Sequence, residues 1–133
     1  MRRIAVLDHT EDIRDVLRAV LTEDGHTVDC CAEASELGAL IDRGGIDLVI
    51  LDLTMGDVVR HPGLGIFNSI RQSSDHANLP VLAVSADTMS LEDIALSRYT
   101  RTLAKPFSLQ QLEVAVEALL GGENEPMGAD SLS

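Results

Sequence analysis

The sequence of 133 residues predicts an α/β domain of five strand–helix units, with a doubly wound, five-stranded parallel sheet and helices on both of its faces. Short apolar or β-prone segments alternate along the chain with segments whose apolar residues recur at helical spacing. The connections between successive strands are long enough to hold helices, which parallel strands require. Polar residues follow the strands directly, where the functional crevice of such sheets lies.

The first unit has the clearest pattern. Ile4 to Leu7 is a continuous apolar run, typical of a strand that is buried on both faces. Between Asp12 and Asp24 the apolar residues recur at the spacing of one helix face. Gly25 then stands at the position where a glycine commonly ends a helix.

The second and third strands enclose another helix. Residues 27–31 form a β-prone stretch, residues 34–43 carry a helical apolar face, and two glycines follow that helix. Residues 48–51 are fully apolar and predict the third strand. The next segment, from Leu53 to Gly63, has no period and reads as a loop. It is long for a strand-to-helix connection, where about 2–6 residues are usual.

The remaining elements follow from similar signals. We expect a helix over residues 64–72, a strand over 81–84, and a short helix over 90–96 that Ser90 caps. A last strand over 100–104 precedes a helix that Ser108 caps and that ends at Gly121. The predicted domain therefore spans residues 1–121, and the acidic residues 122–133 are expected to form a flexible tail or the stub of a linker.

Composition narrows the functional classes. The net charge of −12 would repel nucleic-acid phosphates, so no direct contact with nucleic acid is expected. Cys30 and Cys31 are adjacent and could hardly form an ordinary intrachain disulfide, which favours a reducing compartment. The apolar run near the N-terminus is too short for a signal peptide or a membrane span. We therefore expect a cytoplasmic protein without membrane contact.

Four fragments at predicted strand ends carry the candidate chemistry. They are Asp8-His9, Asp52, Ser85-Ala86 and Lys105-Pro106-Phe107. Because parallel strands end at the same edge of a sheet, carboxylates, a hydroxyl and an amine are expected to lie together there. This combination suits a phosphorylatable aspartate, with an imidazole as the discordant member.

These residues, in this order, resemble the receiver domain of two-component response regulators over residues 2 to about 121. The resemblance rests on D-x-x-x-D-I-R from Asp8, D-L-V-I-L-D-L-T-M around Asp52, V-S-A around Ser85 and K-P-F from Lys105. It implies the flavodoxin-like strand order 2-1-3-4-5 and a signalling protein rather than an enzyme.

The resemblance also implies residue roles. Asp52 would accept a phosphoryl group from a histidine kinase or a phosphotransfer protein. Lys105 would pair with a phosphoryl oxygen, Ser85 would be the switch hydroxyl, and Pro106 is a candidate cis proline. The mechanism is physically reasonable, because cations must neutralise the charge on a transferred phosphoryl group.

The same resemblance implies a Mg²⁺ site with one departure. Asp8, Asp52 and the backbone carbonyl of Thr54 would be ligands, and His9 replaces the second acidic residue of the family's pair. Mg²⁺ prefers oxygen ligands in octahedral geometry, whereas imidazole suits ions such as Zn, Cu or Ni. His9 is therefore expected to weaken Mg²⁺ binding or to favour a softer metal. Two roles stay open for its ring. It is either a metal ligand itself, or a solvated or hydrogen-bonded histidine that replaces a lost ligand.

Two further departures concern the loop after Asp52 and the switch. Gly63 lies eleven residues after Asp52 where the family usually has a glycine at eight, so about three extra residues flank the site. Thr102 stands at the switch position where the family often has an aromatic ring.

The remaining histidines, His26, His61 and His76, fall in predicted loops and are expected to be solvated.

Three functions stay open at this point. In the first, phosphorylation of Asp52 changes the partner that binds the face formed by the short helix over 90–96, the fifth strand and the final helix. In the second, the chain is a pseudo-receiver that binds a partner without phosphorylation. The third, a flavin binder or small-molecule enzyme, is disfavoured because residues 8–11 contain no glycine and no cluster of hydroxyls to cradle a flavin phosphate. No effector follows residue 121, so the output is expected through protein contact unless an effector was cut away.

Overall fold

A parallel sheet flanked by helices forms the part of the chain that the computed structural model describes, namely residues 2–53, 62–86, 91, 94 and 97–121. The strands are β1 (Arg3–Leu7), β2 (Thr27–Cys31), β3 (Leu48–Asp52), β4 (Val81–Ser85) and β5 (Thr100–Ala104). The helices are α1 (Glu11–Glu23), α2 (Ala34–Arg43), α3 (Pro62–Gln72) and α4 (Leu109–Leu120).

The sheet order is β2-β1-β3-β4-β5 and every pairing is parallel, which confirms the predicted fold class and strand order. The chain passes from β1 to β2 on one side and then returns to β3 on the other side. The strand order therefore reverses between β1 and β3, and ligand crevices in open α/β sheets lie at the carboxyl ends of the strands at such a point.

Alternate residues of the central strands point to two separate apolar layers, as the side-chain period of two requires. One layer packs against α1 and α4, and the other packs against α2 and α3. The fully buried β3 contributes Leu48 and Ile50 to the first layer and Val49 and Leu51 to the second. This explains why the third strand is apolar without alternation.

Only part of the predicted apolar face of helix α1 is buried. Leu17 and Leu21 are buried under the sheet, but the Val16 side chain remains 48% exposed beside them. Gly25 follows the helix with a φ of 97°, a left-handed conformation that glycine adopts at little cost. The predicted helix end is therefore confirmed.

The predicted boundaries differ from the structure around the third helix. Helix α3 begins at Pro62, so the prediction that the loop continues through Gly63 was wrong. Proline lacks a backbone N–H, and the first turn of a helix does not need one, which makes this position favourable. Residues 54–61 lie outside the described residues.

Two other predictions fall largely or wholly on residues that are not described. Of the helix predicted over 90–96, Leu91 is helical and Ile94 is buried in the layer beneath α3. The tail over 122–133 lies outside the described residues, so the domain boundary at 121 stays a prediction. None of the described helices has the length and apolar character needed to cross a membrane.

The paired cysteines behave as small apolar residues of the edge strand β2. Cys31 is buried in the layer against α2, whereas Cys30 is half-buried, and both thiols are free. Burial raises the pKa of the Cys31 thiol to about 11 and also raises the pKa of Cys30. Both thiols are therefore largely protonated at neutral pH and poor nucleophiles.

His26 corrects one expectation. Its side chain is only 9% exposed, although it lies in the turn after α1 that was predicted to be solvated. The backbone N–H of His26 donates to the carbonyl of Leu21, which draws the turn back against the helix end. Glu117 of α4 lies across from the ring, with 3.8 Å between His26 Nε2 and its Oε2.

Arg71 ties together the amino-terminal edge of the sheet. Its guanidinium donates to the carbonyls of Ala77, Leu79 and Tyr99 at 3.1, 2.8 and 2.8 Å, and to Thr100 Oγ1 at 2.7 Å. Burial lowers the pKa of Arg71, which is the cost of placing the charge there. The contacts join the segment before β4 to the start of β5, and the sequence carried no motif for them.

Replacing Arg71 with alanine should lower the free energy of unfolding by about 2–3 kcal/mol, because several carbonyls would lose a charged donor. Urea unfolding followed by circular dichroism measures this change. Arg101→Ala is the matched control, since Arg101 is exposed on β5 and should change stability by less than about 0.5 kcal/mol. Equal effects of the two substitutions would contradict a structural role for the Arg71 contacts.

Candidate functional site

Four strands deliver polar side chains to the carboxyl edge of the sheet. Asp52 and Ser85 are the last residues of β3 and β4, while Asp8 and Lys105 directly follow β1 and β5. Parallel hydrogen bonding continues past the strand ends, since the Asp8 N–H donates to the Cys31 carbonyl and the Lys105 N–H donates to the Ser85 carbonyl. Backbone pairing therefore sets the height of each side chain at this edge.

Lys105 bridges the two carboxylates. Its Nζ lies 2.9 Å from Asp8 Oδ2 and 3.5 Å from Asp52 Oδ2. Both aspartates are almost completely buried, and the Lys105 side chain is 13% exposed. Two adjacent buried carboxylates repel each other and require a cation, and the ammonium group supplies one.

The Asp8 carboxylate is oriented by the turn that leads into α1. Its Oδ1 accepts a hydrogen bond from the backbone N–H of Thr10 at 2.9 Å. The Arg14 guanidinium also donates to the backbone carbonyl of Asp8. Sequence reasoning included Arg14 in a motif but missed Thr10, for which the position just before a helix was the available signal.

His9 lies over the Asp52 carboxylate on the solvent side. Its Nδ1 is 2.9 Å from Asp52 Oδ2 and 3.9 Å from Asp8 Oδ1. Its Nε2 is 3.4 Å from the Thr10 hydroxyl. The His9 side chain is 54% exposed, so the ring forms part of the entrance to two buried acids.

Asp8, His9 and Asp52 form a group of possible metal ligands, with one donor atom from each lying within 4.8 Å of the others. The backbone carbonyl of Thr54, the fourth expected ligand, lies outside the described residues. Glu11 and Asp12, which were considered as substitutes for a missing acid, occupy the exposed first turn of α1.

The two expected switch residues lie on neighbouring strands. Ser85 is buried at the end of β4, and Thr102 is half-buried in the middle of β5, in register with Ala83. Thr102 also lines a surface groove between β5 and α4. The peptide bond between Lys105 and Pro106 is cis.

Comparison with known proteins places this arrangement in a family. The family described as the response regulator receiver domain matches residues 4–117. The chain belongs to this receiver family. The receiver fold, the strand order and the response-regulator character predicted from the sequence are thereby confirmed.

Curated relatives are response regulators and transcriptional regulators. The receiver is 32% identical to the response regulator MprA of Mycobacterium sp. (strain KMS), over 97% of this chain and 55% of that protein. It is 29% identical to the transcriptional regulatory protein PmrA of Pectobacterium parmentieri, over 98% of this chain and 60% of that protein. The chain thus spans little more than half the length of these relatives. Since one is a transcriptional regulator, the expectation of no nucleic-acid contact is not confirmed.

Solved receiver structures have the same fold. The response regulator TrrA of Thermotoga maritima, solved in complex with Mg²⁺ and BeF, matches with a TM-score of 0.77 and 28% identity, covering 90% of this chain and all of that one. The receiver domain of the sensor histidine kinase PA1611 of Pseudomonas aeruginosa, which has a magnesium ion in its active-site cleft, matches with a TM-score of 0.76 and 19% identity over 90% of this chain and 98% of that one.

The Lys105 bridge predicts unequal coupling to the two acids. In double-mutant cycles with Lys105→Met, the coupling free energy with Asp8→Asn should exceed that with Asp52→Asn, because the first pair is 0.6 Å closer. Lys105→Met alone should cost roughly 1–3 kcal/mol, since it leaves buried carboxylates without their cation. Urea unfolding of the six proteins, namely the wild type, the three single variants and the two double variants, measures both quantities. A larger coupling with Asp52 would contradict this assignment of the bridge.

Proposed function

We propose that this receiver accepts a phosphoryl group on Asp52 from a histidine kinase or a histidine phosphotransfer protein and then changes its protein contacts. The observation that carries the proposal is the position of the Asp52 carboxylate at the end of β3, beside the Lys105 ammonium and a second buried carboxylate. This is the arrangement that in-line attack on phosphorus needs, a nucleophilic oxygen flanked by cationic charge.

Phosphoryl transfer to Asp52 would form one bond to phosphorus and break another. An Asp52 carboxylate oxygen forms a bond to phosphorus as the N–P bond of a phosphohistidine breaks, and the imidazole leaves with the bonding electron pair. The product is an aspartyl phosphate. Lys105 moves part of its pairing from the carboxylates to the phosphoryl oxygens, whose charge develops during transfer.

A divalent cation would take part in the transfer. Asp8 and Asp52 would hold it, together with the backbone carbonyl of Thr54 and, as argued below, His9. When bound, the ion neutralises negative charge on the carboxylates and on the phosphoryl group. The two aspartates fit a Mg²⁺ ion, because Mg²⁺ takes carboxylate oxygens, but the imidazole does not fit that preference.

The switch would begin at Ser85. Its hydroxyl at the end of β4 is one strand away from Asp52, because Asp52 pairs with Val84 in the ladder. Donation from this hydroxyl to the phosphoryl group would pull on the segment that follows β4. Thr102 in β5 would sense the change by packing rather than by a ring movement, since threonine has no ring.

The partner that delivers the phosphoryl group would dock on helix α1, next to Asp52. A groove of about 490 Å³ runs between α1 and the start of α4, and Lys105 forms part of its wall. Its other walls are mostly apolar, with Val16 and Leu109 each 48% exposed. An apolar surface that adjoins the nucleophile would hold a helical phosphotransfer partner with its histidine over the site.

The output surface would lie on the opposite side of α4. It comprises the helix predicted over residues 90–96, β5 and α4, and Val114 is its most exposed large apolar side chain among the described residues, at 59%. The receiver itself would bind protein rather than nucleic acid, because its net charge is −12. We place it in the cytoplasm as a signalling protein and not as an enzyme.

A pseudo-receiver is the second candidate, and one contact favours it. His9 Nδ1 lies 2.9 Å from Asp52 Oδ2, so the ring occupies one oxygen of the proposed nucleophile. A protein in which this contact persists would bind its partner with or without a phosphodonor. Phosphorylation of Asp52 is the measurement that separates the two candidates.

Incubation with phosphoramidate and a divalent cation should add one phosphoryl group to the wild type, and Asp52→Asn should abolish the addition because no carboxylate remains to form the acyl phosphate. Intact-protein mass spectrometry detects the product. Asp75→Asn is the matched control, since Asp75 is exposed in the segment before β4. Absence of labelling with every ion tested would exclude the first candidate and leave the pseudo-receiver.

Val16→Glu should slow phosphoryl transfer from a phosphorylated histidine phosphotransfer domain by about tenfold or more, since a charge would then face the apolar groove. Labelling by phosphoramidate should stay unchanged, because this small donor needs no docking surface. Val114→Glu places the same charge on the proposed output surface and should leave both rates unchanged. If it slows transfer as much as Val16→Glu, the proposed docking groove is wrong.

A further inference from the structure

We propose that His9 is a metal ligand and that it shifts the ion preference of this receiver from Mg²⁺ toward six-coordinate ions of the first transition series, such as Co²⁺ or Ni²⁺. The inference rests on the proposed function in one respect, since the ion would act at the same Asp52. It goes further by assigning a role to the residue that departs from the acidic pair of the family.

The distance between the two nearest donor atoms supports shared coordination. An octahedral ion with bonds of about 2.1 Å holds adjacent ligands about 3.0 Å apart, whereas tetrahedral bonds of that length separate them by about 3.4 Å. His9 Nδ1 and Asp52 Oδ2 are 2.9 Å apart, close to an octahedral edge. Asp8 Oδ1 is 3.9 Å from the same nitrogen, within the 4.8 Å group.

The His9 ring is oriented with Nδ1 toward the two buried carboxylates. Thr10 Oγ1 lies 3.4 Å from Nε2 on the outer side, which leaves Nδ1 facing the two buried carboxylates. Outer contacts of this kind orient metal-binding histidines and select the tautomer. The half-exposed ring also lies on the route by which an ion would enter from solvent.

The chemistry of the donor atoms determines which ion gains affinity for the site. A neutral imidazole at position 9 gives the site one negative charge fewer than a carboxylate would, and Lys105 already neutralises part of the remainder. Mg²⁺ depends on charged oxygen donors and loses affinity. Transition-series ions gain a nitrogen donor that they accept readily, and they also take carboxylate oxygens.

The competing explanation is a hydrogen bond alone, in which the protonated Nδ1 donates to Asp52. A purely hydrogen-bonding His9 would be mimicked by asparagine, whose amide donates but offers no imidazole. His9→Asn therefore separates the two roles, while His9→Asp restores the acidic pair. His76→Asn removes a histidine in the segment before β4, at the opposite edge of the sheet, and is the matched control.

Dissociation constants for Co²⁺ and for Mg²⁺ are measured by isothermal titration calorimetry on these four proteins. The ratio of the Mg²⁺ constant to the Co²⁺ constant should be at least about tenfold larger for the wild type and His76→Asn than for His9→Asp. Because each ratio is compared with that of a variant, the general preference of protein sites for Co²⁺ cancels. His9→Asn should lose Co²⁺ affinity without gaining Mg²⁺ affinity.

Proton NMR of the Co²⁺ form identifies the ligand directly. A Co²⁺-bound imidazole gives an exchangeable N–H resonance with a large paramagnetic shift, which should be present in the wild type and His76→Asn and absent from both His9 variants. Equal ion ratios in the wild type and His9→Asp, or a shifted resonance that survives in a His9 variant, would overturn the inference.

Failure of this inference and failure of the proposed function are distinguishable. If phosphoramidate labels Asp52 while the ion ratios of the wild type and His9→Asp agree, the receiver is phosphorylated and His9 is not a ligand. If the shifted N–H depends on His9 and Asp52 is never labelled, His9 binds metal in a receiver that does not take phosphate.

Discussion

The ammonium group of Lys105 bridges two carboxylates at the ends of strands β1 and β3 and offsets part of their charge. Neither Asp8 nor Asp52 has appreciable exposure, so solvent does little to screen their mutual repulsion. The fold makes the bridge possible, because β5 lies only two strands from β3 and the long lysine side chain reaches past the end of β4. The bridge therefore depends on the strand order and the cross-strand register, and in turn it sets much of the charge balance at this edge of the sheet.

His9 changes the number of negative charges at this edge of the sheet. An acidic residue at this position would have added a third carboxylate to the two that Lys105 bridges, whereas the imidazole adds a group that can be neutral. The ring contacts Asp52, the residue that we propose as nucleophile, at the same carboxylate oxygen that Lys105 approaches. If His9 binds an ion as we propose, ion binding and access to Asp52 would be coupled through one side chain.

The opposite edges of the sheet satisfy buried polar groups by different means. At the amino-terminal edge, Arg71 donates to neutral carbonyls and to Thr100, so charge-assisted hydrogen bonds hold the connections in place. At the carboxyl edge, the Lys105 ammonium pairs with both Asp8 and Asp52, the two carboxylates that we propose as ligands of a divalent cation. The amino-terminal edge therefore carries a structural network, whereas the site that we propose lies at the carboxyl edge, where the crevices of parallel sheets are found.

The sequence alone determined the elements, their order and the strand ends at which Asp8, Asp52, Ser85 and Lys105 stand, because apolar periodicity and glycine or proline boundaries are local signals. Two expectations failed for physical reasons. Pro62 starts a helix that was predicted as loop, and His26 is buried with Glu117 of α4, a residue distant in the chain, 3.8 Å from its ring. Only the tertiary structure decided that Lys105 lies nearer to Asp8 than to Asp52, that His9 faces Asp52, and that Arg71 ties two loops together. These contacts join residues up to 97 positions apart, and their distances depend on strand register and side-chain rotamers that no local pattern encodes.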